Sequence, residues 1–389
     1  MPTPVFSLSR DLLRPTGAKR SYGFLSTFPP TPCGIATFSA ALGTALAGRA
    51  GTSIGVVRVG ATPGESFAAP VVGDLVNGSS ASVDAAIELL NQYDVAIVQH
   101  EYGIYGGPDG DEVLPFLAAL AAPKVVVLHT VLSEPTAHQR VVLDEVAALA
   151  DVVVVMTGTA RDRLARLYSV DMHKVRLIPH GAPAVSKSAS ATIRSPEPTI
   201  LTWGLLGPSK GIQWGIAAMG HLQDVSPIPR YVVAGQTHPK VLAFEGERYR
   251  TALTEQTRDL GLEHCVTLDN QYRSPGDLAG LVSSADIVLL PYDSTDQVTS
   301  GVLIEAVSAG KPVVATRFPH SVELLSDGGG ILVRHKDPLA IADALREVLA
   351  HRSPARLTSA RTAPPLLWSA VADRYRDVVS QLKTSRSAA

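Results

Sequence analysis

Only two cysteines occur in the 389-residue chain, and charge and long apolar runs are also scarce. Cys33 and Cys265 lie far apart and lack the spacing of metal ligands, which excludes a disulfide framework and indicates a reducing compartment. The formal net charge is -2, so electrostatic capture of nucleic acid or of an anionic membrane is not expected. No apolar run reaches the ~18 residues of a membrane span, and the N-terminus has no apolar segment of signal-peptide length. We therefore expect a cytoplasmic protein that acts on small molecules.

Short runs rich in β-branched residues alternate with helical patterns along the whole chain. They include YGFLSTF, VAIVQ and DVVVVMT in the first half, and TILTWG, YVVAG and DIVLLPY in the second. Runs that are apolar on both faces are typical of parallel strands with crossover helices on both sides of the sheet. The chain is also too long for a single core. The sequence therefore predicts an α/β protein with two Rossmann-like, doubly wound domains that face a cleft.

A segment rich in Ser, Ala and Pro marks the domain boundary. The stretch APAVSKSASATIRSPEP has no periodicity and is typical of an exposed linker. After Pro364-Pro365, a helical stripe that includes Trp368 and Tyr375 needs a surface to cover, and we assign it to the first domain. The predicted boundaries are 1–183 plus 366–389 for the first domain, 184–195 for the linker and 196–365 for the second domain.

Two strand–helix junctions have the composition of anion-binding loops. The segment PPTPCG places Gly34 directly before a helix, where a ligand can approach the backbone and the helix N-terminus offers unpaired N–H groups. In the second half, LLGPSKG places Lys210 at a helix start, where its ammonium can meet a phosphate. An ordinary turn at Gly34 and a solvated surface lysine at Lys210 are the alternatives. Neither loop is a Walker A or a dinucleotide-binding glycine motif.

A third junction combines a polar loop with an isolated carboxylate. After DIVLLPY, the loop DSTDQVTSG precedes the short helix VLIEAVSAG, with Thr299 or Ser300 as its N-cap. Glu305 lies little more than one turn into this apolar helix, where a carboxylate without a partner is unfavourable. The hydroxyls of a ribose would supply the donors that Glu305 needs. An internal salt bridge or a solvent-facing glutamate is the alternative.

The loop that follows VAIVQ is dense in polar groups and glycines. Its sequence is QHEYGIYGGPDGDE, and we predict that it binds the acceptor through His100, Glu101, Tyr102 and Asp109. Asp109 and Asp111 also fit an Asp-x-Asp metal motif, but we interpret this segment as a turn and expect no metal site. We expect three further histidines to lie on the surface without clustered partners: His138, His173 and His264.

The order of these motifs resembles glycosyltransferase family 4, whose members have the GT-B fold. The segments that carry the resemblance are GIATFS, LHT, IPHG, GLLGPSKG, and Gln297 to Glu305 followed by AVSAGKPVVAT. The resemblance extends from about Tyr22 to Leu382 and is strongest with mannosyltransferases that use a nucleotide-diphosphate mannose, including actinobacterial enzymes that build α-(1,4)-linked oligomannosides. It implies retaining transfer of a hexose, with GDP-mannose favoured as the donor and a carbohydrate such as an oligomannoside as the acceptor.

The resemblance also implies roles for individual residues. Glu305 would hold the ribose hydroxyls, and His129 in LHT would lie near the transferred sugar. The implied donor-binding set is Gly34, Lys210, Gln297, Ser300, Gly301, Val302 and Glu305. The implied catalytic set is His129, Lys210 and Gln297. No tightly bound cofactor and no essential divalent metal is implied.

Two positions depart from the pattern of the family. Gln297 stands where a glutamate is usual, and it can still donate and accept hydrogen bonds but carries no charge. Leu205 stands where an arginine is usual, which removes one clamp on the diphosphate. Lys210 and backbone amides must then contribute more, or another base such as Arg273 must substitute.

Three alternative functions remain to be distinguished. One is a glucosyltransferase of the same fold that uses a UDP-, GDP- or ADP-sugar. Another is a nucleotide-sugar epimerase, which needs acid and base groups around the sugar, so the neutral Gln297 argues against it. The third is a two-lobed solute-binding protein, which would carry a secretion signal. The sequence does not determine the oligomeric state.

Overall fold

The computed structural model describes residues 20–64, 68–184, 196–350 and 367–387, with side chains as far as residue 382. The predicted linker beyond residue 184 and the break at Pro364-Pro365 lie outside the described residues. No helix in the described ranges is both long enough and apolar enough to cross a membrane.

The first domain is built on a sheet of seven parallel strands. These are β1 (Arg20–Ser26), β2 (Thr52–Gly60), β3 (Val71–Val76), β4 (Val95–His100), β5 (Lys124–Leu128), β6 (Val152–Val155) and β7 (Val175–Leu177). The connecting helices are α1 (Gly34–Ala47), α2 (Ser80–Leu90), α3 (Val113–Ala119), α4 (Ala137–Leu149) and α5 (Gly158–Leu167). The strand order is β3-β2-β1-β4-β5-β6-β7.

Both faces of this sheet are buried, as the apolar runs predict. Successive residues of a strand point to opposite faces, so Phe24 and Leu25 of β1 belong to different hydrophobic cores. Ile97 and Val98 of β4 divide in the same way. The β1 and β4 strands are in register with Phe24 opposite Ile97. Helices on both sides of the sheet therefore stabilise it.

The second domain repeats this plan with six parallel strands. They are β8 (Thr199–Trp203), β9 (Arg230–Ala234), β10 (Val266–Asp269), β11 (Ile287–Leu290), β12 (Val313–Thr316) and β13 (Ile331–Val333), in the order β10-β9-β8-β11-β12-β13. The helices are α6 (Ile212–Gly220), α7 (Pro239–Glu245), α8 (Arg248–Asp259), α9 (Pro275–Ser284), α10 (Gly301–Ser308), α11 (Pro319–Leu325) and α12 (Pro338–Ala350).

The last helix, α13 (Trp368–Ser387), packs against the first domain. Its Tyr375 is 1% exposed and shares a core with Phe24 and Phe38. The ring centres of Trp368 and Phe38 are 5.0 Å apart. Arg376 donates from Nη2 to two carbonyl oxygens in the last turn of α1, at 2.8 Å to Ala45 and 3.0 Å to Leu46.

Polar contacts join the two domains along one side. Arg163 of α5 donates from Nη1 to the Oδ1 of Asp296 at 2.5 Å and to the carbonyl oxygen of Val131 at 2.8 Å. Glu323 of α11 accepts hydrogen bonds at the N-terminus of α5, from the backbone N–H of Gly158 at 2.7 Å. Val298, from the loop after β11, is 2% exposed and packs into a core of the first domain.

Each sheet reverses its strand order at one point. These points lie between β1 and β4 in the first domain and between β8 and β11 in the second. In doubly wound sheets, ligands bind outside the carboxyl ends of the strands at such a point. The predicted class, two doubly wound Rossmann-like domains, is confirmed, and the site is to be sought in the loops after these four strands.

Candidate active site

The loops at the two reversal points contain most of the predicted site residues. Gly34 follows β1, His100 ends β4, Lys210 follows β8, and the segment from Gln297 to Gly301 follows β11. The structure thus brings the predicted donor and acceptor segments to the edges at which ligands bind in this architecture.

The start of α1 is open to solvent. A Cβ atom placed on Gly34 would meet no other atom within 4 Å. The N-cap residue, Cys33, makes no side-chain hydrogen bond to the first turn. Backbone N–H groups at this end of the helix are therefore accessible to an anion, as the predicted role of Gly34 requires.

Lys210 closes a short 3-10 turn between β8 and α6. Its Nζ lies 4.1 Å from the centre of the Tyr292 ring, which is a cation–π contact. The next residue, Gly211, has a φ of 60°, and a Cβ atom there would overlap the carbonyl oxygen of Pro291. Only glycine permits this close approach, which fixes Lys210 at the carboxyl end of β11.

The N-terminus of α10 touches the first domain. Ser300 is its N-cap and accepts from the backbone N–H of Leu303 at 3.2 Å. A Cβ atom on Gly301 would lie 2.9 Å from the Nε2 of His180, so the contact leaves no space for a side chain. Val302, the next residue, lies beside the loop after β8, with its Cγ2 3.6 Å from a Cβ atom placed on Gly204. The start of α10 therefore lies between the ends of β7 and β8.

Glu305 is half-buried and accepts a hydrogen bond from an indole. Its Oε2 accepts from the Nε1 of Trp203 at 3.3 Å. Burial raises the pKa of Glu305, and the hydrogen bond from Trp203 opposes this effect. The carboxylate forms no salt bridge with any described residue. Among these residues, the alternative of an internal salt bridge at Glu305 is therefore not supported. One donor leaves most of the acceptor capacity of a carboxylate unused.

Gln297 is used within its own loop. Its side-chain Nε2 donates to the backbone carbonyl oxygen of Thr299 at 3.0 Å. Its backbone carbonyl oxygen accepts from the backbone N–H of His320 at 3.3 Å. His320 in turn accepts on Nδ1 from the backbone N–H of Ser300 at 2.8 Å. These bonds connect Gln297 to the cap of α10 through a histidine that sequence reasoning missed.

His129 is a neutral imidazole. Burial, together with smaller effects of the nearby His180 and His100, lowers its pKa to about 3. Its Nε2 lies 2.7 Å from the Oε1 of Gln99, an oxygen that can only accept, so Nε2 carries the proton and Nδ1 is left as an acceptor. Phe38 contacts the ring edge-on with centres 5.0 Å apart.

His180 is the second site residue that sequence reasoning missed. It donates from Nδ1 to the carbonyl oxygen of Gly181 at 2.6 Å, which leaves Nε2 as an acceptor beside Gly301. Burial lowers its pKa to about 4. The signal was available, because His180 belongs to the quoted motif IPHG and directly follows an apolar run.

The predicted acceptor loop is tied to its own domain by several side chains. Glu101 accepts from the hydroxyl of Thr130, and its pKa is raised by burial. Tyr102 donates from its hydroxyl to the carbonyl oxygen of Gln139 at 3.2 Å. His100 is 1% exposed, burial lowers its pKa to about 4, and neither ring nitrogen has a hydrogen-bond partner among the described residues.

Asp109 stabilises this loop through α4. It accepts from the Nδ1 of His138 at 2.9 Å and from the Nε2 of Gln139 at 3.1 Å. His138 also lies 3.6 Å from Asp111, so the expectation that it has no clustered partner is wrong. The loop folds back onto α4 and brings together residues that are distant in sequence. Within the described ranges, no group of three or more His, Cys, Asp or Glu residues is placed to hold a metal ion.

Leu205, which stands where the family usually has an arginine, is uncharged and follows a tight turn. Gly204, which precedes Leu205, has a φ of 116°. Arg273, the predicted substitute, forms a salt bridge with Asp269 at the end of β10. Its Nη1 is buried without a partner among the described residues. Arg273 is therefore already paired with a carboxylate.

Solved structures with the same fold extend over nearly the whole chain. Sucrose-phosphate synthase from Thermosynechococcus elongatus superposes with a TM-score of 0.72 and 20% identity, covering 94% of this chain and 100% of that one. HepE from Anabaena, in a complex with UDP-glucose, gives a TM-score of 0.72 and 17% identity, covering 93% and 100%. Identities this low establish the fold alone. That fold is GT-B, as predicted.

Sequence comparison identifies the family of the second domain. Residues 197–351 match the family described as Glycosyl transferases group 1. D-inositol 3-phosphate glycosyltransferase from Corynebacterium diphtheriae is 27% identical over 283 residues, which is 66% of this chain and 64% of the relative. The enzyme of the same name from Xylanimonas cellulosilytica is 31% identical over 275 residues, 65% and 63%. The chain thus matches less than two thirds of the length of either relative.

Over residues 197–351, the second domain is therefore similar to the family described as Glycosyl transferases group 1. The GT-B fold predicted from the sequence is confirmed, and this match agrees with the predicted glycosyltransferase family.

Proposed function

We propose that the protein is a retaining glycosyltransferase that moves a hexose from a nucleotide-diphosphate sugar to a carbohydrate acceptor. GDP-mannose is the favoured donor, and an oligomannoside is the favoured acceptor. The observation that carries the proposal is the position of α10, because its N-terminus meets the first domain at His180 and has Lys210 on the neighbouring loop. A helix N-terminus and a lysine are both suited to bind a diphosphate.

The remaining residues of the site have separate roles in this proposal. Glu305, held by Trp203, accepts hydrogen bonds from the ribose hydroxyls. His129 accepts a hydroxyl of the transferred sugar on Nδ1, since its Nε2 proton is bound to Gln99. The N-terminus of α1 at Gly34 adds further backbone donors from the first domain.

Transfer breaks the bond between the anomeric carbon and the diphosphate oxygen and forms a bond from that carbon to the acceptor oxygen. Negative charge develops on the leaving diphosphate, where one preorganised donor contributes about 3 kcal/mol of transition-state stabilisation. Lys210 and the first N–H groups of α10 supply such donors. The proton of the acceptor hydroxyl passes to the leaving phosphate.

A front-face route fits the carboxylates of the site. Glu101 accepts the hydroxyl of Thr130, and Glu305 accepts the indole N–H of Trp203. Both carboxylates are thus held by neighbouring side chains, and the proposal assigns neither of them as a nucleophile. The departing phosphate then serves as the base for the acceptor, and the configuration at the anomeric carbon is retained.

A panel of donors and acceptors tests the proposal. The protein is incubated with GDP-mannose, UDP-glucose or ADP-glucose, each with an oligomannoside or with inositol 3-phosphate, and the linkage of any product is determined by NMR. Inositol 3-phosphate is included because the two relatives above are named for it. A new α-glycosidic linkage from an α-linked donor supports retaining transfer. An inverted linkage, or no transfer with any pair, contradicts the proposal.

The same donors without an acceptor test the epimerase alternative. An epimerase changes the sugar of the nucleotide donor, whereas a transferase leaves the sugar unchanged apart from slow hydrolysis. A preference for UDP-glucose over GDP-mannose would favour the glucosyltransferase alternative.

A further inference from the structure

We propose that Lys240 is a second cation for the donor diphosphate and replaces the arginine that is missing at Leu205. The inference rests on the proposed function, because it concerns the diphosphate of the same donor. Lys240 was not singled out by any sequence motif. It lies on α7, in the loop region that follows β9.

The loops after β8 and β9 are joined, which places Lys240 near Lys210. Leu206 and Thr237 form a parallel bridge between the two loops, and the backbone N–H of His238 donates to the carbonyl oxygen of Leu206 at 2.8 Å. A Cβ atom on Gly207 would lie 3.0 Å from the Cγ2 of Val241, so α7 packs directly on the loop that carries Lys210.

The imidazole of His238 lies within electrostatic reach of both lysines. Burial lowers the pKa of His238, and the charges of Lys240 and Lys210 lower it further. Two lysines that affect one imidazole create a region of positive potential at the ends of β8 and β9. A diphosphate, with its negative charges on neighbouring phosphates, matches such a region.

The Lys240 ammonium extends to the first domain. A Cβ atom placed on Gly103 would overlap its Nζ, so this ammonium lies against the loop that follows β4. The charge of Lys240 also lowers the pKa of Glu101, although burial dominates and raises that pKa overall. Glu101 accepts from Thr130 and forms no salt bridge with Lys240 among the described contacts. Lys240 is exposed, and no ion pair or hydrogen bond of its ammonium with another described residue is present.

Calorimetric titration with nucleotides tests the role of Lys240 without requiring turnover. We expect Lys240→Ala to weaken binding of GDP or UDP by about 10- to 100-fold, the effect of losing a charge-assisted hydrogen bond. GMP or UMP, which lack the second phosphate, should lose less than about threefold. Lys240→Arg should retain most of the affinity. Lys174→Ala removes a lysine that donates to Ala148 in the first domain and serves as the matched control.

A double variant provides the complementary test. If Lys240 binds the diphosphate in place of the missing arginine, adding Leu205→Arg to the Lys240→Ala variant should restore affinity for GDP and UDP. The affinity of the double variant should then lie within about threefold of the wild type. Equal affinity of Lys240→Ala and wild type for GDP and UDP would overturn the inference, as would equal losses for the mono- and diphosphates. If the wild type binds nucleotide diphosphates and Glu305→Gln weakens that binding, the proposed function stands and only the role of Lys240 is wrong. If the wild type binds no nucleotide diphosphate, both the inference and the proposed function are wrong.

Discussion

At the scale of single residues, the half-buried carboxylate of Glu305 illustrates how the site is constructed. Its pKa is raised because burial removes water, and only one hydrogen bond, from Trp203, opposes that effect. A ligand that donates two hydroxyl hydrogen bonds would favour the charged form and gain affinity in return. Burial of this carboxylate is therefore unfavourable by itself, and hydrogen bonds from a ligand would offset it.

Replacing Glu305 tests this interpretation. We expect Glu305→Gln to weaken the binding of GDP or UDP by roughly 1 to 3 kcal/mol, because a charge-assisted hydrogen bond becomes a neutral one. The measurement is calorimetric titration of the nucleotide. Glu255→Gln, at an exposed position of α8, is the matched control and should bind normally. Unchanged affinity of Glu305→Gln for both nucleotides would mean that Glu305 is only structural.

Lys210 allows a kinetic prediction. We expect Lys210→Ala to reduce kcat by at least ~100-fold with folding unaffected, because a preorganised donor at the leaving diphosphate is removed. Turnover is measured at saturating donor, and the thermal midpoint is measured in parallel. Tyr292→Phe keeps the ring below the ammonium and removes a hydroxyl that has no described partner, so it should behave like the wild type. Near-normal turnover of Lys210→Ala would exclude Lys210 as the phosphate ligand.

At the scale of secondary structure elements, α13 is the clearest case of a helix whose position depends on distant chain segments. It covers the face of the first sheet that α1 leaves open, and it contributes Val371, Ala372 and Tyr375 to that core. The sequence stripe requires an apolar surface, and residues of β1 and α1 such as Phe24 and Phe38 provide it. The first domain is therefore closed by residues from the far end of the chain.

Two variants of Tyr375 measure the contribution of this helix. We expect Tyr375→Ala to lower the free energy of unfolding by about 3 to 5 kcal/mol, the usual cost of removing a buried aromatic ring. Tyr375→Phe should change it by less than about 1 kcal/mol, because the hydroxyl has no described partner to lose. Denaturant unfolding gives both values. Hydrogen exchange of Tyr375→Ala should show lost protection in β1 and β4 but not in β8 and β11, and the opposite pattern would assign α13 to the second domain.

At the scale of the whole molecule, ionisable side chains lie where the two domains meet, and burial and hydrogen bonds shift their pKa values. Glu323 binds the N-terminus of α5 across the boundary. Burial raises the pKa of Glu323, but the hydrogen bonds from Thr159 and Gly158 outweigh that effect and lower it overall. Four histidines also lie at the junction or in neighbouring loops: His100 and His320, which are buried, and His129 and His180, which are half-buried.

These histidines predict a loss of stability in mild acid. Their folded-state pKa values are about 3 for His129 and about 4 for the other three, against 6.5 in the unfolded chain. Between pH 6.5 and about 4, the unfolded chain binds more protons, so stability present above pH 6.5 is lost as the pH falls. Each group contributes at most about 1.4 kcal/mol per pH unit in this window. The raised pKa values of Glu101 and Glu305 act in the opposite direction but involve only two groups.

Thermal unfolding as a function of pH is the measurement. We expect the midpoint to fall on the order of 10 °C between pH 7 and pH 5, since several kcal/mol are lost over that interval. His100→Leu removes one of the four groups and should reduce the slope, whereas His221→Gln, at an exposed position after α6, should not. A midpoint independent of pH over this range would contradict the assignment of these histidines as neutral.

Much of the fold could be predicted because its signals are local. Apolar runs such as VVVV in β6 need burial on both faces, and this alone implies parallel strands with helices on either side. The loops that bear Gly34, Lys210 and Ser300 were predictable for the same reason, since strand ends and helix starts are defined by neighbouring residues. Ser300 caps α10 through Leu303, three positions along the chain.

The remaining parts of the site depend on contacts between residues that are distant in sequence. Trp203 and Glu305 are separated by about a hundred positions, and nothing local to either predicts their hydrogen bond. His138 was expected to be isolated because its partners, Asp109 and Asp111, lie in a loop that only the folded chain places beside α4. The contact of His180 with Gly301 crosses the domain boundary.

By itself, the sequence determined two doubly wound domains, the loops in which their ligands must bind, and the residue types suited to a phosphate and a sugar. The periodicity of burial and the chemistry of strand ends act over a few residues, so they can be read from the chain. Only the tertiary structure decided which side chains meet at the candidate site: Trp203 next to Glu305, His180 against α10, and Lys240 beside the loop of Lys210. These choices depend on how separate segments pack, and packing is a property of the folded surface that no short stretch of sequence contains.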